Sequence, residues 1–123
     1  MARVMVVDDT DVHRDALAGL LRRQGHETVT AGGADEALHR LRHENEAPDL
    51  ILLDVNMPGL GGLDLLEMIQ NEPAWRTVPV VMLTGYSDTH SLNRAAQLGA
   101  RRCMVKAAFS VAEMMSCVRE YTD

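Results

Sequence analysis

Four short apolar runs, each ending on a polar residue, constrain the fold of this chain more than any other feature. The runs and the residues that end them are 4–7 with Asp8 and Asp9, 50–53 with Asp54, 80–83 with Thr84, and 104–105 with Lys106. Runs that are apolar throughout, without alternation, are typical of parallel strands in a sheet covered on both faces. Parallel strands share one carboxyl edge, and open α/β sheets bind ligands outside that edge. The sequence therefore predicts that three carboxylates, a hydroxyl and an ammonium group meet there.

Helical patterns separate these runs, so that the chain alternates strand and helix five times. The predicted strands cover about 3–7, 27–31, 50–53, 79–83 and 102–105, with Pro79 opening the fourth. The predicted helices cover about 11–24, 34–43, 63–71 and 88–98, with a last helix N-capped by Ser110. Gly25 follows the first helix in the manner of a C-terminal cap. This alternation predicts an α/β fold of βαβ units, a doubly wound parallel sheet with strand order 2-1-3-4-5.

Composition limits the classes of partner. A chain of 123 residues with 46% hydrophobic content predicts one domain, residues 1–123, with a full core. The net charge of -6 argues against direct binding of duplex DNA or of an anionic membrane, because both require clustered Lys and Arg. No apolar stretch approaches the length needed to span a bilayer, and Cys103 and Cys117 have no metal-ligand spacing. We therefore expect a cytoplasmic protein with reduced thiols.

The acidic residues at the predicted edge are suited to a metal ion. Three carboxylates close together repel one another, which raises at least one pKa unless a cation lies between them. Mg²⁺ is the expected cation because it is hard and prefers oxygen ligands. We expect Asp9 to bind the ion directly and Asp8 to accept a hydrogen bond from a metal-bound water.

Asp54 is the best candidate for a nucleophile that attacks phosphorus. It follows the most buried predicted strand and precedes an open, glycine-containing loop. A carboxylate attacks phosphorus to form an acyl phosphate, and the anionic reactants need positive charge and positioning from the protein. We expect Mg²⁺ to bridge Asp54 and one phosphoryl oxygen, while Lys106 and Thr84 contact the other two.

A resemblance to a known family covers nearly the whole chain. The receiver domain of two-component response regulators is similar to the segments VMVVDD, DLILLDVNMPGLGGLDLL, PVVMLTG and LGARRCMVKAAF. The resemblance implies a flavodoxin-like (βα)5 fold in which Asp54 takes a phosphoryl group from a histidine kinase or phosphotransfer protein. It implies that Asp9, Asp54 and the backbone carbonyl of Asn56 bind Mg²⁺, and that Thr84 and Lys106 read the phosphorylated state.

The resemblance also implies how such a domain communicates. A downstream protein would bind the face formed by the fourth helix, fifth strand and fifth helix. The domain would be a signalling module without enzymatic output, whose chemistry is limited to self-phosphorylation and slow autodephosphorylation at Asp54.

Four positions leave parts of this hypothesis open. Ala107 follows Lys106 where the family usually has a cis-proline, and because a non-proline cis bond costs about 3–4 kcal/mol we predict a trans bond or a strained, mobile loop. Cys103 replaces the usual aromatic residue, so the conformational response is either muted or supplied by another group. Tyr86 either shields the acyl phosphate from water or is an exposed loop residue. Gly61 stands where an acid is frequent, and we expect it to affect only loop flexibility.

Other functions are considered beside the phosphorylated switch. Ala107 and Cys103 motivate a receiver-like binding module that works without phosphate, although such a module has no reason to keep the complete acidic set. A hydrolase of the haloacid dehalogenase type carries DxDx[TV] on its first strand, whereas this chain has Asp54 to Met57 after its third. A flavin-binding flavodoxin relative needs Ser, Thr and Gly in the first loop, which is acidic here.

Overall fold

The structure, a computed structural model, alternates five strands with five helices. It describes residues 2–44, 46–57, 59–85, 89–106 and 109–122. The strands are β1 (Arg3–Val7), β2 (Glu27–Ala31), β3 (Leu50–Asp54), β4 (Val80–Thr84) and β5 (Arg102–Val105). The helices are α1 (Asp11–Arg23), α2 (Ala34–His43), α3 (Gly62–Asn71), α4 (Thr89–Gln97) and α5 (Val111–Thr122).

All five strands are parallel and form one sheet in the order β2-β1-β3-β4-β5, which confirms the predicted topology. β3 and β4 are central and buried at every position, as their unbroken apolar runs predict. Each ends one residue later than predicted, on Asp54 and on Thr84, and β4 begins at Val80 rather than at Pro79. Pairing continues to these residues because the Val55 amide donates to the Leu83 carbonyl at 2.8 Å and the Lys106 amide to the Thr84 carbonyl at 2.7 Å.

Each face of the sheet has its own apolar cluster. Along β1, Met5 and Val7 belong to the cluster beneath α2 and α3, whereas Val4 and Val6 belong to the cluster beneath α1 and α5. This alternation follows from the period of two in a strand. Both faces are therefore sealed by helices, which leaves the carboxyl edge of the sheet as the place where polar side chains converge.

The helix ends follow the sequence signals closely. α1 ends at Arg23, one residue before the predicted end, and Gly25 then adopts a φ of 91°, the left-handed conformation that glycine tolerates best. The Ser110 hydroxyl accepts a hydrogen bond from the Glu113 amide at 3.1 Å, which confirms the predicted cap of α5.

α3 begins at Gly62 rather than Leu63, and α4 ends at Gln97 rather than Leu98. Three sequence predictions lie outside the described residues: the start of α4 at Asp88, the Lys106–Ala107 peptide bond and the placement of Tyr86. No helix in the described ranges is long and apolar enough to cross a bilayer.

Candidate functional site

Three carboxylates converge at the carboxyl edge of the sheet, as the apolar runs predict. Asp8 and Asp9 follow β1, and Asp54 ends β3, which is the neighbour of β1 in the sheet. One oxygen from each carboxylate lies within 4.8 Å of the others. Asp8 and Asp54 are only 2% and 3% exposed, whereas Asp9 is exposed to solvent. The site therefore has a buried pair of acids with a third acid at its mouth.

Asp54 is held by the backbone that follows it. Its Oδ1 accepts a hydrogen bond from the Asn56 amide at 3.1 Å. Burial raises the pKa of Asp54 to about 6, against the lowering effects of Lys106 and the Asn56 amide, and the charge of Asp8 raises it further. The sequence predicted a raised pKa from repulsion between acids; the direction is confirmed, but burial is the larger cause.

Lys106 places a positive charge between the two buried carboxylates. Its Nζ lies 2.6 Å from Oδ2 of Asp8 and 3.3 Å from Oδ2 of Asp54. Burial lowers the pKa of Lys106, but the hydrogen bond to Asp8 and the charge of Asp54 outweigh that effect and raise it above its ordinary value. Lys106 is therefore an ammonium ion at neutral pH, and its shortest described contact is with Asp8.

Asp8 and Asp9 occupy different environments although they are neighbours in sequence. Asp8 accepts hydrogen bonds from the Thr10 amide at 2.9 Å and from Lys106, so both of its oxygens have protein donors. Asp9 is exposed and offers its carboxylate to the same small volume. An all-oxygen donor set of this size fits a hard divalent cation such as Mg²⁺.

Thr84 and Asn56 complete the predicted set of site residues. Thr84 ends β4 and is 1% exposed, and its carbonyl accepts the hydrogen bond from the Lys106 amide. This bond brings the ends of β4 and β5 together beside Asp54. Asn56 is exposed and lies two residues beyond Asp54, and the use of its carbonyl as a metal ligand stays a prediction.

Gly62 is a site residue that the sequence reasoning missed. A Cβ atom at this position would overlap the Asp54 carbonyl oxygen and lie 2.9 Å from the Asp54 carbonyl carbon. The Gly62 amide also donates to the Val55 carbonyl at 3.2 Å. α3 can therefore begin against the backbone of Asp54 only because residue 62 has no side chain, and the Gly61–Gly62 pair in the loop was the available signal.

Arg14 is a second residue that the sequence reasoning missed. On α1, its guanidinium donates to the Asp8 carbonyl at 3.4 Å and lies 2.7 Å from the carboxylate of Asp11. It thereby braces the loop that carries the acidic pair against the first turn of α1. The signal in the sequence is a single Arg among acids at helical spacing, a pattern that also occurs on ordinary exposed helix faces.

Comparisons with known proteins identify relatives of this chain. The family model of the response regulator receiver domain matches residues 4–119. The sensor kinase/phosphatase CqsS of Vibrio cholerae is 35% identical over 107 residues, which are 86% of this chain and 15% of that protein. The transcriptional regulatory protein PdtaR of Mycobacterium tuberculosis is 34% identical over 117 residues, which are 94% of this chain and 54% of that protein.

A solved structure is similar to this chain over nearly its whole length. The chemotaxis protein CheY4 of Vibrio cholerae superimposes with a TM-score of 0.89 at 26% identity, and the alignment covers 98% of each chain. The alignment therefore covers nearly all of both chains, whereas this chain spans only about a seventh to a half of the length of the two curated relatives.

Proposed function

The chain belongs to the response regulator receiver domain family, a signalling module of two-component systems, and on that premise we propose that Asp54 is its phosphoacceptor. One observation carries this proposal. Asp54 ends the central strand with its carboxylate 3.3 Å from the Lys106 ammonium and within 4.8 Å of the carboxylates of Asp8 and Asp9. No other described carboxylate combines a central strand end, burial and a neighbouring cation.

The reaction is a transfer between two nucleophiles. An oxygen of Asp54 attacks the phosphorus of a phosphohistidine on the donor, the phosphorus–nitrogen bond breaks, and the imidazole nitrogen keeps the electron pair. The product is an acyl phosphate on Asp54. Lys106 supplies positive charge to one phosphoryl oxygen, and the Thr84 hydroxyl donates to another.

The ionisation of Asp54 suits this role. A carboxylate is the nucleophilic form, and with a pKa of about 6 Asp54 is mostly ionised at neutral pH despite its burial. The charge on Lys106 favours this ionised form. The same charge later faces the phosphoryl group, whose additional negative charge would otherwise lie beside Asp8.

The acidic residues would hold the metal ion. We propose Asp8, Asp9, Asp54 and the Asn56 carbonyl as the groups that surround Mg²⁺, with Asp8 acting through water because its oxygens already accept bonds from Thr10 and Lys106. When bound, Mg²⁺ would neutralise charge that develops on the phosphoryl oxygens. Asp9 is the residue whose exposed carboxylate is free to adapt to the ion.

We propose a histidine kinase or phosphotransfer protein as the donor and a cytoplasmic site of action. The similarity to a segment of a sensor kinase and to a transcriptional regulatory protein supports a donor of this class. For the downstream protein we propose the face of α4, β5 and α5. Each of its three elements carries an exposed charged residue: Arg94 on α4, Arg102 on β5 and Glu120 on α5.

Intact-mass spectrometry tests the proposed phosphoacceptor. The chain is incubated with acetyl phosphate and Mg²⁺, and we expect the wild type to gain the mass of one phosphoryl group. Asp54→Asn should gain none. Asp35→Asn is the matched control, because Asp35 is an exposed acid in the first turn of α2, and it should behave as the wild type does. A wild type without an adduct would favour the receiver-like module that works without phosphate.

A further inference from the structure

An apolar groove lies beside the phosphoacceptor site, between α1 and Phe109, which precedes α5. It has a volume of about 430 Å³ and is lined on the α1 side by Ala16, Leu17 and Leu20. Phe109, just before α5, forms part of the opposite wall, and Leu83 of β4 forms part of the floor. A volume of this size, with mostly apolar walls, is typical of sites for small organic ligands.

One end of the groove is the polar site itself. Asp8 and Lys106 line that end, together with Gly85, the residue after Thr84, and His13 of α1. The Lys106 ammonium is the group that we propose for a phosphoryl oxygen. The groove therefore has an ammonium group that can bind an anion at one end and apolar side chains along the rest of its walls.

We infer that this groove is a subsite for the leaving group of a small-molecule donor, and that the donor class it fits is an acyl phosphate with an apolar acyl chain longer than acetyl. The inference rests on the proposed function, because it assumes transfer to Asp54. A phosphoryl group held at Lys106 would place the acyl chain in the groove, among the apolar side chains that line it. The Lys106 ammonium thus matches the anionic phosphoryl end of such a molecule, and the apolar walls of the groove match its acyl chain.

The step is balanced without any further reactant. An oxygen of Asp54 attacks phosphorus, the bond between phosphorus and the acyl oxygen breaks, and that oxygen keeps the electron pair. The products are the acyl phosphate of Asp54 and a free carboxylate with its apolar chain. No proton or electron is needed from outside the two reactants.

Butyryl phosphate is a suitable probe because it extends acetyl phosphate by two methylene groups. Removal of two methylene groups from water is expected to raise kcat/KM by about tenfold, since the chain is bound in both the ground state and the transition state. The measurement is the rate of adduct formation by intact mass, at several concentrations of each donor below saturation.

A filled groove should abolish this preference. Ala16 is exposed on α1, and Ala16→Phe places a ring in the groove without changing a charged residue. The ratio of the butyryl to the acetyl rate should fall from about ten to about one. Ala96→Phe on α4 is the matched control, because Ala96 is exposed and outside the groove, and it should keep the wild-type ratio.

The wild-type ratio decides the inference even if the Ala16→Phe substitution harms folding. A ratio near one, with clear phosphorylation by acetyl phosphate, would overturn the leaving-group subsite and leave the proposed function intact; the groove would then be a surface for a protein donor. A tenfold preference that survives in Ala16→Phe would also overturn it. Absence of an adduct from both donors would overturn the subsite and the proposed function together.

Discussion

The Asp54 carboxylate lies in a position that is unfavourable for stability, because it is buried beside Asp8 at the end of a central strand. Burial raises its pKa from 3.8 to about 6 in the folded chain. The folded state therefore holds this proton more tightly than the unfolded state does. The stabilisation from the proton is complete below pH 3.8 and is lost as the pH rises through about 6.

Asp54→Asn should remove this dependence on pH. The variant is neutral throughout, so at neutral pH, above the raised pKa of about 6, its free energy of unfolding should exceed that of the wild type by about 3 kcal/mol. Between pH 4 and 6 its stability should also vary less, as urea unfolding in the presence of EDTA would measure. Asp35→Asn, at an exposed position, should show the wild-type slope. Identical slopes for Asp54→Asn and wild type would refute the raised pKa.

Gly62→Ala should damage both the fold and the site. The new Cβ would overlap the Asp54 carbonyl, so either α3 or the end of β3 must shift. Forced displacement of packed backbone costs about 1–3 kcal/mol, and we expect adduct formation from acetyl phosphate to slow as well. Gly33→Ala is the control, because Gly33 is extended and a Cβ there meets no atom within 4 Å. Equal stability and rate in the two variants would contradict the close approach of α3 to Asp54.

At the scale of elements, the cap at Ser110 accounts for where α5 begins. The Ser110 hydroxyl accepts a hydrogen bond from the Glu113 backbone amide and donates one to the Glu113 carboxylate at 3.3 Å. Ser110→Ala should cost about 1 kcal/mol of folding free energy, as measured by urea unfolding. Ser116→Ala, at an exposed position within α5, should be neutral or slightly stabilising. A neutral Ser110→Ala would show that the cap is not used in solution.

Element order and the meeting of the site residues follow from the sequence because they depend on local patterns. Unbroken apolar runs specify central parallel strands, and parallel strands bring their ends to one edge. The choice of Asp8 as the shortest contact of Lys106 does not follow, because Asp8 and Asp54 are equally suitable in sequence. The choice depends on small differences in side-chain position, since Lys106 Nζ lies 2.6 Å from Asp8 and 3.3 Å from Asp54. The approach of Gly62 to Asp54 likewise depends on where α3 packs, which no local pattern specifies.

At the scale of the whole molecule, binding of Mg²⁺ should link the loop after β1 to the end of β3. A ligand that binds only the folded state stabilises it, and Mg²⁺ at about ten times its Kd should add about 1.4 kcal/mol. Thermal or urea unfolding with and without Mg²⁺ measures this increment. Asp9→Asn should lose it and still fold, because Asp9 is exposed, whereas Asp35→Asn should retain it. Retention of the full increment in Asp9→Asn would contradict the proposed ligand set.

The two faces of the sheet differ in what they leave open at its carboxyl edge. α1 and α5 cover one face but leave the groove beside Lys106, whose walls come from α1 and from Phe109, which are distant in sequence. The sequence contains the apolar residues that line the groove, but no local pattern in it predicts the distance between the groove's walls. Its position makes the side of the site next to α1 and α5 the one that we expect to contact a donor.

Chemical localisation of the phosphoryl group tests the central claim most directly. Borohydride reduces an acyl phosphate of aspartate to homoserine, so treatment of the phosphorylated chain followed by peptide mass mapping identifies the acceptor. We predict homoserine at residue 54 alone, formed only when the chain has been incubated with a phosphodonor and Mg²⁺. Homoserine at Asp8 or Asp9, or none in a chain that carries the phosphoryl mass, would contradict the assignment of Asp54 as the phosphoacceptor.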